Sequence, residues 1–143
     1  RMGLCPIDAQ SDGQLSSTMF RFLERSPVGF DAFFFDWYGG QASADRALNG
    51  TRQHLYQGTE FQALAQALHS YETAHPERLD ADYFSGEDPC SLLIDEIEAV
   101  WDIIDKHDDW TALDDKVQAI RAMGAIYGRS PVMPDAMRCP AVP

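Results

Sequence analysis

The sequence predicts an all-α domain, an irregular array of five or six helices around an aromatic-rich core. Three observations lead there. Apolar residues recur at helical rather than alternating spacing in four separate stretches. Helix start and stop signals bracket those stretches, with no internal repeat and no alternating strand pattern between them. Finally, six large rings fall between Phe30 and Tyr38, and the double glycine Gly39-Gly40 closes the run. Burying one such ring is worth roughly 2–3 kcal/mol, so the run is the natural seed of a core. A surface for a partner is the alternative, and Phe33, Trp37 and Tyr38 would then make the contact.

Arg1 to Pro6 reads as the end of an earlier element entering a loop. Ser11-Asp12-Gly13-Gln14 has the form of a capping box and should open the first helix. Leu15, Met19, Phe22 and Leu23 share one face of it, and Ser26-Pro27-Val28-Gly29 ends it. Asp31 is the expected N-cap of a short buried helix, with Phe30 and Phe35 as a hydrophobic staple. On that helix Phe30, Phe34 and Trp37 should share one side, with Phe33 and Tyr38 on another. Phe34→Ala is accordingly expected to cost about 3–5 kcal/mol.

Ala42 to Leu48 suits a short helix closed by a left-handed Asn49-Gly50, and Thr51 to Tyr56 a further turn. Thr59 caps a clearer helix with Phe61, Leu64, Leu68 and Tyr71 on one face, ended at His75-Pro76. The stretch from Pro76 to Asp88 is polar and irregular, pinned to the core by Tyr83-Phe84. Asp88-Pro89 is a start signal for a helix carrying Leu93, Ile97, Val100, Trp101 and Ile104. That stripe is expected to pack on the aromatic run, together with the Leu15–Leu23 face. Thr111 opens the last helix, which turns Leu113, Val117, Ile120, Met123 and Tyr127 inward before Gly128. The predicted helical domain therefore covers residues 1–128. Residues 129–143, with four prolines, are expected to form an extended or disordered tail.

A formal charge of −12 repels phosphate backbones and anionic bilayers, so neither nucleic acid nor membrane is an expected partner. Cys5, Cys90 and Cys139 are widely spaced without a Cys-x-x-Cys pair, which suits reduced thiols in a cytoplasmic-type compartment. Cys90 would lie at the second position of a helix, where the dipole lowers a thiol pKa; a structural role is preferred for lack of a base. Acids crowd the region from Asp80 to Asp115, with only Lys106 and the adjoining Lys116 against them. Asp95, Glu98, Asp102 and Asp105 should form a solvated outer face, a cation site from Glu98, Asp102 and Asp105 being the minority reading. A calcium loop over Asp105 to Lys116 is excluded, because its sixth position is Trp110 and its twelfth is Lys116. Glu72-x-x-His75 has di-iron spacing but no second copy. No phosphate-binding glycine loop and no nucleophile elbow is present. No cofactor is expected.

Arg1-Met2-Gly3-Leu4 is followed by a helix ending near Phe22-Leu23 and then by Phe30-Asp31-Ala32-Phe33-Phe34. Further on, Asp108-Asp109-Trp110-Thr111-Ala112-Leu113 leads to Ala119-Ile120-Arg121 and Tyr127. Together these two groups resemble the selenoprotein O family of kinase-like protein adenylyltransferases. The resemblance implies the helical C-terminal region of such an enzyme. It carries over no catalytic residue, because the family's nucleotide and metal ligands lie in the kinase-like part. Cys139 can be compared with the family's C-terminal redox residue. The functional expectation is a non-catalytic accessory domain of a larger enzyme, contacting a neighbouring domain or a protein partner. A free-standing acidic interaction module is the alternative.

Overall fold

The computed structural model describes residues 1–128. Six α-helices run through them: α1 (Ala9–Arg25), α2 (Phe30–Asp36), α3 (Ala44–Asn49), α4 (Thr59–Leu68), α5 (Ile94–His107) and α6 (Thr111–Ile126). Short 3-10 turns at Gly40–Ser43, Gln53–Leu55, Pro76–Arg78 and Asp82–Ser85 connect several of them. The class is all-α with an aromatic core, as expected. The proposed tail at 129–143, and Cys139 within it, lie outside the described residues.

Helix starts depart from the expected caps at α1, α2 and α5. Asp8, not Ser11, caps α1: its Oδ1 accepts the backbone N–H groups of Gln10 and Ser11, both at 2.9 Å. Those bonds, led by Ser11, hold the Asp8 carboxyl below its ordinary pKa. Gly29 precedes α2, so Asp31 sits inside the first turn and pairs with Arg1 at 3.1 Å. Asp88 opens no helix because Arg52 takes its carboxylate at 2.6 Å; α5 begins only at Ile94. Gly50 is extended, with φ −80° and ψ 177°, so α3 lacks the left-handed terminator.

α4 stops at Leu68 rather than running to His75-Pro76. Beyond it the chain pairs with the N-terminal segment instead: Cys5 N–H donates to Glu72 O at 2.9 Å and Ala74 N–H to Gly3 O at 2.8 Å. Backbone groups that a longer α4 would satisfy internally are satisfied across the chain. Residues 1–6, expected to be loop, are thereby stitched into the fold.

α2 divides the core. Phe33 and Trp37, four apart, enter a cluster with Met19, Phe22, Phe61 and Leu64 of α1 and α4. Phe35 and Tyr38 enter a second cluster with Phe84, against which Tyr83 and Tyr127 pack. Phe22 and Phe33 lie 5.8 Å apart, Trp37 and Phe61 5.1 Å. Tyr38 stacks on Phe84 at 5.1 Å with 19° between planes. The expected faces are therefore corrected: Phe30 is exposed beside Phe20, Phe34 is half-buried, and Phe33 faces the core.

Gly39 has φ 87° and Gly40 φ 62°, a left-handed pair that turns the chain sharply out of α2. Gly39 N–H donates to Met2 O at 2.7 Å, and the Thr73 hydroxyl donates to Gly39 O at 2.7 Å. A β-carbon on Gly39 would stand 2.9 Å from Leu79 Cδ2 and 3.2 Å from Thr73 Cγ2. Gly39→Ala is expected to destabilise the domain by about 2 kcal/mol, part from the left-handed backbone and part from crowding. A urea unfolding curve superimposable on that of the native chain would refute this.

Candidate functional site

Phe33, Trp37 and Tyr38, the residues a partner-facing run would use, are 0%, 1% and 2% exposed. The interaction-surface reading of these three is therefore corrected. α1 and α4 cover one side of α2, and Phe84 with Tyr127 covers another, so the rings are spent inside the chain.

A polar cluster closes the C-terminal end of α2. Asp36, 7% exposed, accepts both Nε and Nη2 of Arg52, at 2.8 and 2.7 Å, and the Tyr56 hydroxyl donates to its Oδ2. Arg52 also donates to Asp88 at 2.6 Å and to Glu87 O at 2.7 Å. Nearby, Arg46 Nη2 donates to Phe35 O at 2.7 Å, and its guanidinium lies 4.4 Å from the Phe84 ring centroid. The bonds to Asp36 raise the Arg52 pKa. Burial, then the Asp36 bond, raises that of Tyr56, which stays a neutral donor. Burial lowers the pKa of Arg46. The cluster is a cross-brace between α2, the Gln53–Leu55 turn and the segment before α5, in which Asp36, Arg52 and Asp88 engage one another while Arg46 is held by backbone carbonyls. Sequence reasoning missed it. The available signal was Asp36, set between Phe35 and Trp37, because an acid buried among rings needs a cation or donors to pair with it.

Among the described residues no three His, Cys, Asp or Glu side chains are placed to hold a metal ion. Asp102, one of the three suggested ligands, is paired with Lys106 at 2.6 Å. Cys90 precedes α5 instead of lying in its first turn, so the dipole argument for its thiol lapses; its N–H donates to Tyr83 Oη at 3.2 Å.

α5 departs most from expectation. Its apolar stripe was expected to cover the aromatic run, yet Leu93 is 62% exposed, Ile94 72%, Ile97 48% and Trp101 61%. Only Ile104 of this helix is buried. The reason is its placement: α5 packs chiefly on α6, and α6 reaches the core through Ile126 and Tyr127 at its far end. α4 and Phe84 cover the rings in place of α5. Together these side chains form one exposed apolar stripe at and along α5. Asp95, Glu98, Asp102 and Asp105 run beside it, all exposed as expected. A shallow depression lined by Ile97, Glu98, Ala99, Trp101 and Asp102 joins the two strips.

Glu96 fixes the start of α5. It accepts the Leu93 N–H at 2.9 Å, the Ser91 hydroxyl at 3.0 Å and Lys116 Nζ of α6 at 2.7 Å. These bonds, Lys116 foremost, pull its pKa from 4.5 to about 2. A depressed carboxyl pKa gives stability that is complete above 4.5 and is lost as pH falls towards 2. Asp8 and Asp109 contribute in the same direction. Glu96→Gln is expected to flatten the fall in thermal midpoint across that window, as followed by circular dichroism. Acid limbs of equal steepness would contradict it.

No family model matches the chain, and neither a curated protein nor a solved structure does. No described helix is long and apolar enough to cross a membrane.

Proposed function

We propose that this chain is a non-catalytic accessory domain that works by docking, with the outer face of α5 as its contact surface. One observation carries the reading: Leu93, Ile94, Ile97 and Trp101 stay exposed together while the aromatic core is complete without them. Each exposed ring or aliphatic group costs free energy that contact with another protein surface recovers. The larger enzyme we propose as its context is a selenoprotein O-like adenylyltransferase, on the strength of the sequence resemblance alone. A free-standing interaction module would use the same face.

A photo-crosslinking residue tests the docking reading when placed at Ile97 and, as a control, at exposed Gln66 of α4. In cells of the native source, crosslinks to one defined protein segment are expected from position 97 and not from 66. Equal labelling from both positions, or none from either, would end the docking reading.

A further inference from the structure

The geometry of α5 also specifies what should lie on it: we propose that the occupant is an amphipathic helix with a basic flank. This rests on the docking reading above and adds the chemistry of the partner. Ile97 and Trp101 are spaced i, i+4 on α5, with Ile94 in its first turn and Leu93 at its N-cap, which makes an apolar seam along one side of the helix. Such a seam matches the i, i+3, i+4, i+7 anchors of a second helix laid along it.

The flank decides the charge. Asp95, Glu98, Asp102 and Asp105 form a continuous strip on one side of the seam, spaced three and four apart. Lys106 neutralises Asp102. Asp95, Glu98 and Asp105 have no cationic partner among the described residues. A helix whose apolar face covers Ile97 and Trp101 sets its own flanking residues over those three carboxylates. Lysine or arginine there is attracted; aspartate or glutamate is repelled. A second copy is disfavoured by the same reasoning, since it brings another chain of charge −12 and another acidic strip to the seam. The depression that joins Ile97 and Trp101 to Glu98 and Asp102 gives an anchor side chain and a basic neighbour one continuous seat.

The test uses two synthetic peptides of about 20 residues, long enough to form a helix on contact. Both carry leucine at helical spacing; one has lysine and arginine elsewhere, the other glutamate. Fluorescence anisotropy of the labelled peptides measures binding to the full chain and to two variants, Ile97→Ser and the double variant Glu98→Gln/Asp105→Asn. The basic peptide is expected to bind at least about tenfold more tightly than the acidic one. Ile97→Ser should weaken it about tenfold, and the double variant should reduce both its affinity and its salt dependence. Ile97 is half-exposed, so the thermal midpoint of Ile97→Ser should stay near that of the native chain; if it falls, the double variant alone decides.

Basic and acidic peptides binding alike, or basic-peptide binding indifferent to Ile97→Ser, would overturn the proposal by reducing the effect to stickiness or bulk charge. No binding of either peptide would overturn it too. Self-association of the chain that Ile97→Ser abolishes would assign the seam to a second copy. Crosslinking from position 97 without basic-peptide binding would sink the partner's chemistry and leave the docking reading standing.

Discussion

Phe33→Ala should cost about 3–5 kcal/mol, and Phe34→Ala distinctly less, about 1–2 kcal/mol. The two rings are neighbours in sequence and of equal size, so only their surroundings separate them. Phe33 is 0% exposed and lies against Phe22 at 5.8 Å and Phe34 at 5.5 Å, in the cluster that joins α1, α2 and α4. Deleting it removes the transfer energy of a whole ring and leaves a void that three helices cannot all close. Phe34 is half-buried at the edge of the same cluster, so water fills part of the space it vacates. Against a total stability of 5–15 kcal/mol typical of such domains, about 4 kcal/mol would bring Phe33→Ala close to unfolding. Urea denaturation of the two variants side by side decides the matter. Equal losses would mean that α2 is rotated from the orientation described here.

The rings were legible as core because composition alone makes six exposed aromatics in one short run too costly. Their division between two clusters was not. It depends on which elements arrive on each side of α2: α1 and α4 meet Phe33 and Trp37, while Phe84 meets Phe35 and Tyr38. Helical periodicity found α1, α4, α5 and α6, but it reports that a face is apolar, not what will cover it. For α1 and α4 the cover is each other and α2; for the Leu93–Trp101 seam the described residues supply almost none. Capping signals misled wherever a better partner stood elsewhere in the fold. Asp88 looked like an N-cap until Arg52, distant in sequence, claimed its carboxylate. The Asp36 brace was illegible for the same reason, since its members at 36, 52, 56 and 88 converge only once α2 and the Gln53–Leu55 turn have packed.

That brace carries the other large effect. Asp36→Ala is expected to destabilise by about 3 kcal/mol, because it removes the two-pronged partner of a largely buried guanidinium and leaves part of its charge uncompensated. The Arg52 side chain is 16% exposed and that of Asp36 9%, so water can rescue neither well. The figure sits at the low end for a broken buried pair, since Arg52 keeps Asp88 and Glu87 O. Asp88→Ala makes the contrast: its side chain is 78% exposed, and losing it should cost no more than about 1 kcal/mol. A double-mutant cycle separates attraction from stranding. If the cost of losing Asp36 is mainly the uncompensated charge, Asp36→Leu combined with Arg52→Met should be more stable than Asp36→Leu alone, because only the exposed Asp88 then lacks its partner. Strictly additive losses would instead show that Asp36 and Arg52 act independently and that the cluster does not brace α2.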